Sequence, residues 1–354
     1  MFNLSSYSNW SLPSSTTAKK TKSLLLTLLV SSALIACSPK DNTNSQDTEA
    51  QPDNSVQSTE TIDTDTNPEQ ATVTIDTARG PIEMDINPSP IAVYDMTLLQ
   101  DLAALEVPVQ GMPTNLHLDN LEAAGATDNV KVGTVFEPDM ETLNQLQPQA
   151  ILVGSRMAEK FDSLSSMAPT LDMTIDTANI YQSSMQRLTD LGKLFDKQDK
   201  AEQLRKDIDN AIAKAKAASE GKGNGLVILV NGNKISAYGK DSRYGFLHND
   251  FGIPAADTNI KEARHGQPIS FEYLQKTDPD WLFVLDRTSA IGQEGVGAAE
   301  VLDNPLIHET KAWKNQHIVY LSPDSYLAFG GYYQWLKDAQ TIIDNLGKAE
   351  KVAS

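Results

Sequence analysis

One amphipathic helix divides the hydrophobic pattern of this chain. Five apolar residues recur at helical spacing between positions 199 and 219: Leu204, Ile208, Ala211, Ile212 and Ala215. This stripe predicts a helix about 30 Å long that packs one face on the core. Asp199 and Glu202 resemble a capping box at its start, and Gly221 and Gly223 follow its end.

The same arrangement of elements occurs on both sides of this helix. Each half contains a short helix, a proline turn and a buried strand, with Glu seven residues before the proline and Arg eight residues after it. These residues are Glu141, Pro148 and Arg156 in the first half, and Glu272, Pro279 and Arg287 in the second. The repeated spacing predicts an internal duplication and therefore two similar α/β lobes. We interpret the long helix as a connection between the lobes and not as a crossover helix within one domain.

Shorter patterns complete the predicted fold. Residues 71–87 alternate around a turn at 77–80 and predict a β-hairpin. Apolar runs at 226–230 and 318–321 predict further buried strands, and residues 332–346 predict a C-terminal amphipathic helix.

The N-terminal region has the pattern of an export leader followed by a tether. Three lysines precede the apolar run Ser23–Leu34, which is short for a membrane-spanning helix. The run ends in the letters LIAC and resembles a bacterial lipobox, so residues 1–36 are the predicted signal peptide and Cys37 the predicted lipidated residue. Residues 38–70 contain eight acidic residues and one lysine, which predicts an acidic, disordered, lipid-anchored tether over 37–70.

These patterns give the predicted domain organisation. The first lobe spans 71–195, the interlobe helix spans 196–221 and the second lobe spans 222–354. Cys37 is the single cysteine, so a disulfide framework is excluded. The net charge of −18 excludes the electrostatics of a nucleic-acid-binding protein.

Candidate chemistry concentrates at strand ends and in loops. Arg156, Arg287 and Tyr326 each follow a predicted buried strand, and parallel sheets bind ligands at the carboxyl ends of their strands. Arg243 lies in a polar loop that contains glycine, and His265 precedes the second repeated unit. Three guanidinium groups around one cleft would attract a compact anion with several negative charges.

The catalytic motifs of common enzymes are missing from the sequence. None of the five histidines shows the paired spacing of a zinc site, and the glycine-rich segments match neither a P-loop nor a dinucleotide fingerprint. A G-x-S-x-G nucleophile elbow is also absent. We therefore expect a binding protein and not an enzyme.

Five segments carry a resemblance to a known family. They are Val153–Arg156, Ala237–Gly245, Arg264–Gly266, Leu285–Arg287 and Asp324–Gly331. With the lipobox and the duplication, they resemble the substrate-binding lipoproteins of iron-siderophore ABC importers, over about residues 71–350. More narrowly, the chain resembles the branch that binds catecholate siderophores of the enterobactin, petrobactin and anguibactin type. The resemblance implies a class III periplasmic binding protein fold, with two Rossmann-like lobes joined by one long helix.

The resemblance also implies roles for individual residues. Arg156, Arg243 and Arg287 would line the ligand pocket, and His265 and Tyr326 would complete the coordination of ferric iron. Glu141 and Glu272 would dock on an ABC permease. No intrinsic cofactor is implied, because Fe(III) enters with the siderophore.

The predicted function is capture of a ferric catecholate siderophore and its delivery to a permease and its ATPase. The protein would be a monomer, lipid-anchored through Cys37 in the periplasm or on the outer face of the cytoplasmic membrane. Haem, cobalamin, ferric citrate or a hydroxamate siderophore remain alternative ligands. A metal-dependent enzyme that uses His265 is the alternative outside this class.

Overall fold

The computed structural model describes residues 71–114, 116–118, 121 and 129–349. The predicted signal peptide, the lipidation site Cys37 and the tether 37–70 lie outside these residues. The described residues belong to one folded unit, Thr66–Ser354. Within that described part, no helix combines the length and apolar character needed to cross a bilayer.

Strands and helices alternate along most of the chain. The strands are β1 Thr72–Ile75, β2 Ile82–Asp85, β3 Ile91–Val93, β4 Gly111–Met112, β5 Val130–Lys131, β6 Ala150–Val153, β7 Thr170–Asp172, β8 Gly225–Asn231, β9 Lys234–Tyr238, β10 Gln267–Ile269, β11 Trp281–Asp286 and β12 Ile318–Tyr320. The helices are α1 Met96–Ala104, α2 Met140–Leu146, α3 Phe161–Ser165, α4 Ile180–Leu194, α5 Gln198–Ser219, α6 Phe246–Asn249, α7 Phe271–Thr277, α8 Arg287–Ala290, α9 Ala298–Leu302, α10 Pro305–His308, α11 Lys311–Lys314, α12 Pro323–Leu327 and α13 Tyr332–Leu346.

Two five-stranded sheets form the centres of the two lobes. The first has the strand order β5-β4-β3-β6-β7, and all of its pairs are parallel. The second has the order β10-β9-β8-β11-β12, in which β8, β11 and β12 are parallel and β9 and β10 run antiparallel to their neighbours. The predicted α/β fold with two lobes is confirmed, and the second sheet is mixed.

The duplicated unit has the same local structure in both halves. Asp139 and Ser270 cap α2 and α7 by accepting hydrogen bonds from the backbone N–H three residues later. Both helices have seven residues and end at a left-handed residue, Gln147 with φ 50° or Asp278 with φ 44°. The proline that follows cannot continue the helix, so the chain turns directly into β6 or β11.

The predicted hairpin forms a small sheet of its own. Strands β1 and β2 pair antiparallel, and Gly80 adopts φ 106° in the connecting turn. Arg79 in that turn forms an ion pair of 3.0 Å with Asp172 at the end of β7, and its guanidinium lies 4.0 Å from the ring centre of Phe161. The hairpin is therefore fixed against the first lobe.

Helix α5 connects the two sheets along the chain, as predicted. Leu204, Ile208 and Ala215 are buried, whereas Ala211 and Ile212 are half-buried. The predicted capping box is wrong. The helix begins at residue 198, two residues after the left-handed Asp196, so Lys197 is the capping residue, and its side chain makes no capping hydrogen bond.

The C-terminal helix returns to the first half of the chain. Helix α13 packs against α5 and α1, and one hydrophobic cluster runs from the first sheet through α5 and α13 to the second sheet. Strand β12 is less buried than predicted, because it forms the edge of its sheet and Tyr320 is 45% exposed. The domain boundaries at 195 and 221 stay a prediction.

Candidate functional site

A cavity of about 610 Å³ lies at the carboxyl ends of the central parallel strands. Residues after β6 in the first half and residues after β9, β11 and β12 in the second half line it together. All five predicted ligand and iron residues are among them: Arg156, Arg243, His265, Arg287 and Tyr326. The fold therefore brings together groups that are up to 170 positions apart in the sequence.

Arg156 enters the cavity from the first lobe, three residues after the end of β6. Burial lowers the pKa of Arg156, the carboxyl group of Asp95 opposes this shift, and the charge of Arg243 adds to it. The guanidinium remains charged, because the pKa of arginine is about 12 or higher in water. Within the described part of the chain, no hydrogen bond or ion pair joins Arg156 to another residue. Its donors therefore face the cavity.

Arg243 is surrounded by aromatic rings. Its guanidinium carbon lies between 4.9 and 5.6 Å from four ring centres, those of Tyr238, Tyr244, Tyr326 and Phe329. Burial lowers the pKa of Arg243, but the three tyrosine hydroxyls raise it by more, so the net shift is upward. One Nη2 group donates to Tyr238 at 3.3 Å, and the buried Nε finds no partner among the described residues. The guanidinium of Arg243 lines the cavity as a permanent positive charge.

Arg287 and Tyr326 form a pair on the second lobe. Arg287 is the first residue of α8, directly after β11, and its Nε donates to the hydroxyl of Tyr326 at 3.0 Å. Its Nη1 donates to the side chain of Asn231 at 3.2 Å. Tyr326 is 7% exposed, and its ring lies beneath Arg243.

His265 lies in the loop before β10 and is exposed to solvent. Burial and the charges of Arg243, Arg264 and Arg287 lower its pKa below the usual value of a histidine. The imidazole is therefore neutral at neutral pH and carries a free nitrogen lone pair. A neutral imidazole is the form that ligates metals.

Several lining residues were missed by the sequence reading. Asp95 caps α1 after strand β3, and Arg264 is the immediate neighbour of His265. Phe136, at 61% exposure, and Phe329 add apolar walls. The strand-end rule that selected Arg156 applies equally to Asp95, so that residue could have been found. Nothing in the pattern around Phe136 indicates that its loop reaches the cavity.

Glu141 and Glu272 occupy equivalent positions outside the cavity. Each lies in the first turn of its helix, two residues after the capping residue, and each is exposed. A hydrogen bond from Ser270 lowers the pKa of Glu272. Both carboxylates are therefore available on the molecular surface at neutral pH.

The described residues contain no group of three or more His, Cys, Asp or Glu side chains arranged to hold a metal ion. His265 and Tyr326 belong to a different kind of site, because they face a cavity large enough for an external ligand.

Comparisons with known proteins add family relationships. The model of the periplasmic binding protein family matches residues 91–325. Petrobactin-binding protein YclQ of Bacillus subtilis is 37% identical over 266 residues, which cover 74% of this chain and 84% of YclQ. Ferric-anguibactin-binding protein FatB of Vibrio anguillarum is 33% identical over 267 residues, which cover 74% of this chain and 82% of FatB.

Solved structures show the same fold. The crystal structure of YclQ matches with a TM-score of 0.75 and 35% identity, over 79% of this chain and all of that one. The siderophore-binding protein BauB, solved with two molecules of acinetobactin and ferric iron, matches with a TM-score of 0.71 and 30% identity. That match covers 79% of this chain and all of the BauB chain.

Proposed function

Because the chain belongs to the periplasmic binding protein family, we propose that it captures a ferric catecholate siderophore in the cavity between its two lobes. The observation that carries this proposal is the convergence of Arg156, Arg243 and Arg287 on one cavity that also contains Tyr326 and His265. The ligands that give the relatives YclQ and FatB their names, petrobactin and ferric anguibactin, support the same class of cargo.

The arginines select the charge of the ligand. A ferric ion bound by two catecholates carries net negative charge, and guanidinium groups donate in a planar fork to such oxygens. Arg156 and the Nε of Arg243 have donors that other described residues leave unused. The ligand supplies hydrogen-bond acceptors to the guanidinium groups that line the cavity.

Tyr326 and His265 act on the iron itself. Ferric iron prefers oxygen donors and accepts imidazole, so a phenolate and a neutral histidine can fill positions that a tetradentate siderophore leaves open. Arg287 donates a hydrogen bond to the Tyr326 hydroxyl and so fixes the position of the oxygen that coordinates the iron. Iron is cargo in this scheme and enters and leaves with the siderophore.

The remaining parts of the chain serve delivery. The lipid anchor at Cys37 and the acidic tether hold the protein at a membrane surface outside the cytoplasm. Glu141 and Glu272 dock the two lobes on cationic residues of an ABC permease. The protein acts as a monomer without chemical turnover.

A visible-absorption titration tests this function. Wild-type protein is titrated with a ferric bis-catecholate complex, beside Tyr326→Phe, His265→Ala and the control Tyr320→Phe on exposed strand β12. For the wild-type protein we expect saturation at one iron per protein and a shifted charge-transfer band. Tyr326→Phe should lose that shift, whereas the control Tyr320→Phe should keep it. His265→Ala should change the band as well. A band that is identical in all four proteins would overturn the coordination by Tyr326 and His265.

A further inference from the structure

A buried polar network includes two residues of α12, and none of its side chains lines the cavity. It joins α1, α12 and α13 through five side chains, each at most 2% exposed: Gln100, Asp324, Ser325, Gln334 and Asp338. We call these five residues the α12 anchor. None of them belongs to the residues assigned above to ligand, iron or permease.

The hydrogen bonds of the α12 anchor converge on the two residues before Tyr326. The amide of Gln100 donates to Asp324 at 3.5 Å, and its oxygen accepts the backbone N–H of Gln334 at 3.2 Å. The hydroxyl of Ser325 donates to one oxygen of Asp338, and the amide of Gln334 donates to the other. Both residues that precede Tyr326 are therefore held from outside their own helix.

A second set of contacts fixes the chain just after Tyr326. Arg187 on α4 donates to the backbone carbonyl of Gly330 at 2.9 Å and forms a buried ion pair with Asp101 on α1, also at 2.9 Å. Asp101 in turn accepts the backbone N–H of Tyr332 at 2.9 Å. The segment that contains Tyr326 is thus tied at both ends to helices of the first half.

We propose that the α12 anchor positions the Tyr326 phenol, with Gln100 as the positioning residue that links it to the first lobe. This inference rests on the proposed function only in assigning iron coordination to that phenol. Gln100 does not touch the ligand; it acts on Tyr326 through the backbone of α12.

Helix α12 requires such support because it is too short to hold itself. It has five residues, and its capping residue Ser322 makes no side-chain cap. An isolated helix of this length is unstable in water, so its direction depends on tertiary contacts. Directional hydrogen bonds define an orientation more sharply than apolar packing, which permits sliding. Gln100 lies on α1, the helix that Asp95 caps. It therefore connects α12, which carries Tyr326, to the lobe that supplies Arg156.

The test compares Gln100→Met with Gln340→Met. Methionine keeps the length of the side chain and removes both hydrogen bonds of Gln100; Gln340 is exposed on α13 and serves as the matched control. In ligand-free protein with ¹³C-labelled tyrosine, the Tyr326 resonance is identified by its loss in Tyr326→Phe. We expect it to shift or broaden in Gln100→Met and to stay unchanged in Gln340→Met.

The second readout is binding of the ferric bis-catecholate complex. We expect Gln100→Met to weaken affinity about tenfold, the equivalent of one hydrogen bond, and to alter the charge-transfer band. An unchanged Tyr326 resonance in a folded Gln100→Met protein would overturn the inference. If Gln100→Met does not fold, Ser325→Ala, which removes one hydroxyl from the α12 anchor, takes its place. An unchanged Tyr326 resonance in a folded Ser325→Ala protein would then overturn the inference.

The two readouts separate this inference from the proposed function. A wild-type protein that does not bind ferric catecholates would refute the proposed function. The Tyr326 resonance is measured without ligand, so it tests the positioning role of Gln100 in either case.

Discussion

Arg156 and Arg287 stand at equivalent positions of the two halves, each eight residues after the proline of the repeated unit. Their surroundings differ. Arg156 has no hydrogen bond or ion pair with another described residue, whereas Arg287 donates to Tyr326 and to Asn231. The duplication thus sets where each guanidinium lies, and the neighbouring residues set how many of its donors remain for a ligand.

The two lobes contribute unequally to the five predicted ligand and iron residues. Of the five predicted residues, only Arg156 comes from the first lobe. The reason lies in the sheets: the second sheet extends by the antiparallel strands β9 and β10, and the chain between them carries Arg243 and His265. The first sheet has parallel strands β4 and β5 at the corresponding edge. The antiparallel strands thus account for the loop that carries Arg243 and His265, whereas Arg287 and Tyr326 follow the parallel strands β11 and β12.

The largest expected effect comes from the free arginine. Arg156→Gln should raise the dissociation constant of a ferric bis-catecholate about 100-fold, because two or more charge-assisted hydrogen bonds to the ligand are lost. Thermal unfolding should change little, since the half-buried Arg156 forms no hydrogen bond or ion pair with another described residue. Fluorescence quenching and calorimetry measure the two quantities. Arg156→Lys should recover part of the affinity.

The paired arginine should matter less to affinity. Arg287→Gln should raise the same dissociation constant about tenfold, because part of its hydrogen bonding already goes to protein atoms. It should also alter the charge-transfer band, since the Tyr326 hydroxyl loses its donor. Asn231→Ala removes only the hydrogen bond between Arg287 and Asn231 and is the matched control for that contact. The comparison fails if Arg287→Gln weakens binding as much as Arg156→Gln.

The equivalent glutamates should behave alike, in contrast to the arginines. We expect Glu141→Ala and Glu272→Ala each to reduce permease-dependent iron uptake about fivefold without changing siderophore affinity. Uptake of labelled ferric siderophore by cells or by reconstituted permease measures this effect. The exposed Glu300→Ala on α9 is the control. Uptake that is unaltered in the Glu141→Ala, Glu272→Ala double variant would refute the docking role.

A separate effect concerns the pH dependence of stability in the second half. Burial raises the pKa of Asp338 to about 7, against hydrogen bonds from Ser325 and Gln334 that lower it. Between pH 4 and 7 the folded protein therefore keeps a proton that the unfolded chain has lost, and stability falls as pH rises.

Asp338→Asn should remove this slope, which is at most about 1.4 kcal/mol per pH unit for one group. Urea unfolding of both proteins at a series of pH values measures it. The exposed Asp344→Asn on the same helix should leave the slope intact. If the slope persists in Asp338→Asn, other buried carboxyl groups cause the pH dependence of stability.

Much of the fold could be predicted from periodicity. The bounds of α13 match the predicted segment 332–346, and α5 differs from its prediction by one residue. Each helix has a strong amphipathic stripe, and only one assignment of residues to its buried face satisfies that stripe. The capping box predicted for α5 is wrong, because Asp199 and Glu202 fit the motif locally, whereas the helix already begins at Gln198, two residues after the left-handed Asp196.

The sequence could not reveal the contacts that cross between elements. Gln100, Gln334 and Asp338 are polar, so a hydrophobic pattern places them at the surface, although tertiary partners bury all three. The wall formed by Phe136 was missed for a similar reason, since only the folded chain brings its loop to the cavity. Residues at strand ends were predictable because parallel sheets align those ends regardless of side-chain partners.

The central claim is that three arginines and Tyr326 form a cavity for an anionic ferric catecholate. Equilibrium competition tests it most directly: protein saturated with a ferric bis-catecholate is challenged with haem, ferric citrate, cobalamin and a ferric hydroxamate, and the displaced complex is measured. We predict that none of the four competitors displaces the catecholate at equal concentration. Displacement by any one of them would contradict the account and identify that competitor as the better ligand.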